Sequence, residues 1–331
     1  MLVSIVVVMI KPSLHLFFIL FTNFYEIFLV GGFKNMEKDE FYSVYLTDNN
    51  ITYSIDMLRL KTYITYDKFS EVEFLIKTSY KDKVKKFWCS DRVMCFRYNY
   101  LIELEEGKSI YFAFMHNTEK VKFDKTESLY NFTIEFNPNK LKKNLLLLHL
   151  LNISGNWYIK SYDMAFDVNV NILDLITDMS GKNFERVENR GGDNRTIYLG
   201  KNDGRVKIYN KKRESNLNIL GDLTRIEISR TMEDFEIRKV KILNYDNNFP
   251  IVYLNNYVYS LSDYEDKTLL AILYAVQNGF DIRNLTKTYR SKIKKLLEGG
   301  YKIKFSNKVA TDLLHRIIFY YFMQNQKVVW W

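Results

Sequence analysis

Three segments near the middle of the chain alternate between apolar and polar residues, and a period of two admits little besides half-buried β-strands. In residues 158–169, Tyr162, Met164 and Phe166 share one face while Asp163, Ala165 and Asp167 share the other. In residues 204–211, Val206 and Ile208 oppose Lys207, Tyr209 and Lys211; in residues 223–229, Ile226 and Ile228 oppose Arg225, Glu227 and Ser229. Asn202-Asp203-Gly204 lies between two short strand-like runs and marks a hairpin, because these residues tolerate the positive φ of a tight turn. The implied sheet packs one face against a core. Its other face carries carboxylates, cations and a tyrosine.

Upstream, β-branched and aromatic residues form strand-like runs at residues 51–65, 72–76, 87–100, 109–114 and 129–136, the last broken by Asn137-Pro138-Asn139. The leucine-rich residues 140–151 predict a buried helix. Beyond residue 232 the pattern turns helical. Ser262 and Glu265 form a capping box ahead of the apolar run 269–276, with Gly279 as its stop. A second helix over 285–297 carries Lys287, Arg290, Lys292, Lys294 and Lys295, and a third, apolar helix covers 310–323. The first two of these read either as a helical hairpin with a solvated basic face or as a helix-turn-helix.

The expected architecture is α+β: a mostly antiparallel sheet domain (residues 36–231), then a smaller helical domain (232–331). Residues 1–35 stand apart. Their apolar runs, split by Lys11-Pro12, fall short of the roughly 20 residues a spanning helix needs. Three readings stay open for them: translated sequence upstream of a true start at Met36, a membrane anchor, or an added core element.

Composition narrows the function classes. With 47% hydrophobic residues and 3 prolines among 331, the chain has ample core material and is no disordered polymer. Two cysteines, Cys89 and Cys95, and four histidines exclude a disulfide framework and a cysteine-rich zinc site, which fits a reducing, cytoplasmic setting. A formal charge of +9 favours a polyanionic partner. No Gly-x-x-x-x-Gly-Lys-Ser/Thr loop marks a nucleotide-driven motor. His15, His116, His149 and His315 never form a His-apolar-His pair, so any metal must rest on carboxylates, which suit Mg²⁺ or Mn²⁺.

Residues 194–229 taken together, NRTIYLGKNDGRVKIYNKKRESNLNILGDLTRIEIS, resemble the replication initiation factor family of rolling-circle plasmid initiators and related conjugative relaxases. FTIEFNPNKL (132–141) and YDMAFDV (162–168) look like two further segments of that family, so the resemblance runs over about residues 51–229. It implies that Tyr209 attacks a scissile phosphate, leaving a 5′-phosphotyrosine and a free 3′-hydroxyl, with Lys211 and Arg225 assisting. It implies a divalent metal held by some of Glu135, Asp163, Asp167 and Glu227, with Asp163, Glu135 and Glu227 the favoured set. Where the family carries an arginine two residues before the first aspartate, this chain has Ser161, and Lys160 is the nearest cation. DNA contacts fall to Lys201, Arg205, Lys207, Lys212 and Arg213 near the site, and to Lys287, Arg290, Lys292, Lys294 and Lys295 on the distal helix. The expected partners are single-stranded or cruciform origin DNA, with a helicase and a second copy of the chain as further partners and a membrane disfavoured. Rival readings are a conjugative relaxase with the same chemistry, a DNA-binding regulator that keeps the sheet without the reaction, and a membrane-associated protein.

Overall fold

The structure is a computed structural model. It describes residues 43–46, 51–86, 96–104, 107–116, 128–141, 144–178, 184–189, 193–200, 203–215, 221–236, 251–254, 266–277, 280–298, 301–303 and 305–323. In chain order its first elements are β1 (Ser43–Leu46), β2 (Ile51–Thr65), α1 (Tyr66–Ser79), β3 (Val84–Lys86), β4 (Phe96–Glu103), β5 (Ser109–His116), β6 (Leu129–Phe136), α2 (Leu145–Asn152) and β7 (Tyr158–Val168). There follow β8 (Leu175–Asp178), β9 (Phe184–Asn189), β10 (Arg195–Leu199), β11 (Val206–Asn210), α3 (Lys211–Glu214), β12 (Thr224–Glu236) and β13 (Ile251–Leu254). The last are α4 (Lys267–Gln277), α5 (Lys287–Glu298), β14 (Tyr301–Lys302) and α6 (Asn307–Ile318). The fold is α+β, as expected.

An 11-stranded sheet runs β3-β4-β5-β6-β2-β7-β12-β11-β10-β9, with β1 also paired to β2. All of its pairings are antiparallel. The hairpin read from Asn202-Asp203-Gly204 is the β10–β11 connection, where Gly200 and Gly204 adopt positive φ of 71° and 72°. A separate three-stranded sheet, β14-β13-β8, accompanies α4 and α5.

One face of the large sheet is apolar. Tyr162, Met164 and Phe166 of β7 and Ile226 and Ile228 of β12 are buried on it, as the alternation requires. Three helices cover it. Phe69 of α1 stacks on Phe114 at 4.1 Å between ring centroids, with Val72 and Ile76 buried beside it. Leucines 146, 147, 150 and 151 of α2 are buried, and the Trp157 indole donates to the Leu151 carbonyl at 2.8 Å. The chain before α6 packs Phe305 on Phe166, and the Tyr53 hydroxyl of β2 accepts from the Ser306 amide at 2.8 Å. Each such ring removed from water contributes on the order of 2–3 kcal/mol.

One expectation is corrected. Residues 72–76, read as a strand from Val72, Phe74 and Ile76, belong to α1. Thr65 caps that helix by accepting from the Lys68 amide, and its buried residues Phe69, Val72 and Ile76 follow helical spacing, while Phe74 is 71% exposed. Of the strand read over 87–100, residues 96–100 belong to β4, and residues 87–95 lie outside the described residues. Residues 1–35, Ser262, Glu265 and Gly279 lie outside them too, and at the start of α4 it is Asp266 whose carboxylate accepts from the Leu269 amide at 3.0 Å.

Candidate active site

The candidate site occupies the polar face of β2, β7, β12 and β11, and strand register alone assembles most of it. Tyr209 of β11 lies opposite Arg225 of β12, and Lys207 opposite Glu227. On the next pairing, Arg225 lies opposite Asp167 of β7, and Ser229 opposite Asp163. Two strands further on, Arg59 of β2 lies opposite Glu135 of β6. Directly opposed side chains stand about 5 Å apart, so charges at these positions are obliged to interact.

Tyr209 donates its hydroxyl hydrogen to the Glu227 carboxylate in a short bond. The Lys207 ammonium sits 4.0 Å from the centroid of the Tyr209 ring and 3.6 Å from the other oxygen of Glu227. The Lys211 ammonium lies 5.7 Å from the same ring and bonds Glu214 at 2.8 Å. Tyr209 is only 3% exposed, its ring roofed by these two flexible side chains. Burial, and then the negative charge and hydrogen bond of Glu227, push the phenol above its ordinary value. Burial likewise raises Glu227, with Lys207 and the Tyr209 hydrogen bond opposing. The pair holds one proton on the phenol, with a carboxylate in place to receive it.

Arg225 is gripped from two sides. Its Nε and Nη2 each meet an oxygen of Asp167 at 2.6 Å, a bidentate fork, while Nη1 meets Asp56 at 2.9 Å. Although burial alone would favour the neutral form, the bonds and charge of Asp167, then the charge of Asp56, hold the guanidinium more firmly protonated than usual. Asp56 was not anticipated from the sequence. It sits where β2 shifts register against β7 between Ile55 and Met57, and the Asn137 side chain donates to its Oδ1 at 3.0 Å. A signal was present: Ile51, Tyr53 and Ile55 are buried at odd positions but Leu58 and Leu60 at even ones, and such a parity change demands a bulge. Arg59, also missed, forms an ion pair with Glu135 through Nε at 2.9 Å and through a shorter contact from Nη2.

The carboxylates expected to hold a metal are thus placed as follows. Glu135 is paired with Arg59, Asp167 with Arg225, and Glu227 with Tyr209 and Lys207. Asp163 is raised by burial, against a hydrogen bond from Ser229. Among the described residues no group of three or more His, Cys, Asp or Glu side chains is gathered to hold an ion. The favoured set of Asp163, Glu135 and Glu227 is accordingly not gathered into such a group here, each being engaged by a neighbouring side chain.

The cations expected to meet DNA divide into engaged and outward-facing groups. Arg213 bonds Asp193 at 3.1 Å, and Asp193 also accepts from Asn210 at 2.8 Å, which fixes the chain just past Tyr209. Lys212 donates to the Gly221 carbonyl at 2.9 Å, and Arg205 lies 5.0 Å from the Tyr198 ring centroid. On α5, Arg290 donates to the carbonyls of Arg283 and Leu285 at 2.8 and 2.9 Å, and Lys292 bonds Asp266 at 2.9 Å. Lys287, Lys294 and Lys295 are exposed on the same helix, whose inner side packs Ile293 against Leu269, Leu273 and Val276 of α4. Lys201 lies outside the described residues.

No family model matches the chain, and no curated protein does. Among solved structures it is similar to a rolling circle replication initiator protein from Geobacillus stearothermophilus, at 13% identity and a TM-score of 0.33, over 56% of this chain and 76% of that one. No helix among the described residues is long and apolar enough to cross a membrane.

Proposed function

We propose that the chain cuts and rejoins one DNA strand at a replication origin, with Tyr209 as the nucleophile. The observation that carries this reading is the Tyr209 hydroxyl bonded to Glu227 on a sheet face where Lys207 and Lys211 lie over the same ring and Arg225 is the cross-strand neighbour. A phenol ionises near pH 10 in water, so attack at neutral pH needs a base within hydrogen-bond reach. Glu227 is in that position. As the Tyr209 oxygen bonds phosphorus, its proton passes to Glu227, the bond from phosphorus to the 3′-oxygen breaks, and that oxygen takes a proton from solvent. The product is a 5′-phosphotyrosine and a 3′-hydroxyl, and the phosphodiester energy is retained for rejoining. Lys207, Lys211 and Arg225 offset the charge that spreads over the non-bridging oxygens. Lys207 and Lys211 must first swing away from the ring. Phosphate oxygens attract both ammonium groups, so substrate itself draws the roof aside.

A divalent ion, if recruited, would polarise the same phosphate, and its binding would require the carboxylates to exchange their present partners. The burial of Tyr209 gives a second reading its specific support: a DNA-binding regulator with the same sheet would have no need to expose this ring. One experiment separates the two. Wild type and Tyr209→Phe are incubated with labelled single-stranded oligonucleotides tiling the DNA that flanks the gene, in Mn²⁺, and resolved under denaturing conditions. Strand transfer through Tyr209 predicts a covalent adduct in wild type alone; no adduct in wild type favours the regulator, and equal adduct in both excludes Tyr209 as the nucleophile.

A further inference from the structure

The unusual feature of the site is that a single guanidinium holds two carboxylates. Elsewhere on the same sheet the more exposed Arg59 pairs with the single carboxylate of Glu135. Asp167 already takes Nε and Nη2 of Arg225 in a bidentate fork with both distances at 2.6 Å. Asp56 adds one contact of 2.9 Å from the remaining nitrogen and leaves the trio with a net negative charge. That surplus is felt across the site. The charge of Asp56 acts unfavourably on both Asp163 and Glu227, and favourably on Lys211 as well as Arg225. Asp56 is also the more exposed partner, its side chain 26% accessible against 14% for Asp167.

Resting on the strand-transfer reading, we propose that Asp167 is the fixed anchor of Arg225 and Asp56 a stand-in for substrate, so that a DNA phosphate replaces the Asp56 carboxylate on Nη1 of Arg225. The two groups are chemical equivalents at that edge, each offering an anionic oxygen to one N–H donor. The guanidinium keeps two anionic partners before and after, while the displaced Asp56 carboxylate turns to solvent with its charge intact. The Asp56 side chain stays tethered at the bulge by Asn137, ready to return when the strand leaves. Arg225 lies directly across from Tyr209 in register, while its Nη1 edge turns toward Asp56 of β2, so a phosphate held there grips the strand on the side of Arg225 away from β11. Asp56 is accordingly a positioning residue: it holds the phosphate edge of Arg225 in shape without substrate and competes with substrate for it.

The test measures affinity, not chemistry. In a Tyr209→Phe background, binding of a fluorescent mixed-sequence single-stranded oligonucleotide is followed by anisotropy at low salt. Asp56→Asn removes the competing charge and should tighten binding about three- to tenfold, the scale measured for solvent-accessible ion pairs. Adding Arg225→Gln should abolish that gain, whereas Asp167→Asn alone should weaken binding by loosening the anchor. If Asp56→Asn leaves affinity unchanged or lowers it, or if the gain survives Arg225→Gln, the exchange is wrong. Should Asp56→Asn fail to fold by circular dichroism, Asp56→Ser at the same bulge gives the same reading. Because no adduct is formed in this assay, a positive affinity gain with a negative adduct assay would retain the exchange and remove the strand-transfer reading.

Discussion

The two faces of the central sheet are made by the same strands and solve opposite problems. On β7, Tyr162, Met164 and Phe166 are sealed beneath helices, while one residue along Asp163 and Asp167 meet serine and arginine. The apolar face is held by area, which is non-directional and tolerates repacking. The polar face is held by specific pairs, Tyr209 with Glu227, Arg225 with Asp167 and Asp56, and Arg59 with Glu135, each of which leaves an uncompensated group if its partner is lost. A mutation on one face should therefore be read as stability, and on the other as chemistry.

The sharpest break in that contrast comes from Phe166→Ala. It opens a cavity beneath Tyr53 and Phe305 and should cost about 3–5 kcal/mol in denaturant unfolding. Adduct formation should persist wherever the variant remains folded. A variant of normal stability would show that the apolar face is not the principal source of cohesion.

Glu227→Gln should act in the opposite way. The carboxylate is raised above its ordinary value, chiefly by burial, so it is protonated and unable to accept the Tyr209 proton as pH falls through that raised value. Wild-type adduct formation should consequently lose rate on the acid side at a pH above the usual carboxylate range. Glu227→Gln should lower the rate by about 10²–10⁴-fold and abolish that acid limb, with little loss of stability. An unchanged limb would assign the proton to another acceptor.

The smallest effect sharpens the contrast at a distance. Replacing Lys294 and Lys295 by alanine removes two exposed charges from α5 without touching its packing against α4. Oligonucleotide affinity should fall by a few-fold at low salt, with a shallower salt dependence, while the adduct yield at saturating DNA should not change.

How much of this was legible in sequence follows from the range of the interactions. Alternation in β7, β11 and β12 placed Tyr209, Arg225, Glu227, Asp163 and Asp167 on one face, because side-chain direction in a strand is fixed by parity alone. Which carboxylate meets which cation was not legible, since that depends on register between strands far apart in sequence. Arg59 and Glu135 are 76 residues apart, and nothing local to either announces the other. Asp56 was hidden by a bulge whose trace, the parity change between Ile55 and Leu58, went unread. α1 was mistaken in part for a strand because Val72, Phe74 and Ile76 alternate, although Phe69, Val72 and Ile76 already carry the helical spacing.

The claim on which the account depends is that the Tyr209 oxygen becomes covalently joined to DNA. Protease digestion of the wild-type adduct, nuclease trimming and mass spectrometry of the modified peptide test it directly. The account predicts a nucleotide phosphate on the peptide containing Tyr209, attached through its phenolic oxygen. The same mass shift on a peptide bearing a different tyrosine, or no modified peptide from protein incubated with cleavable DNA, would contradict it.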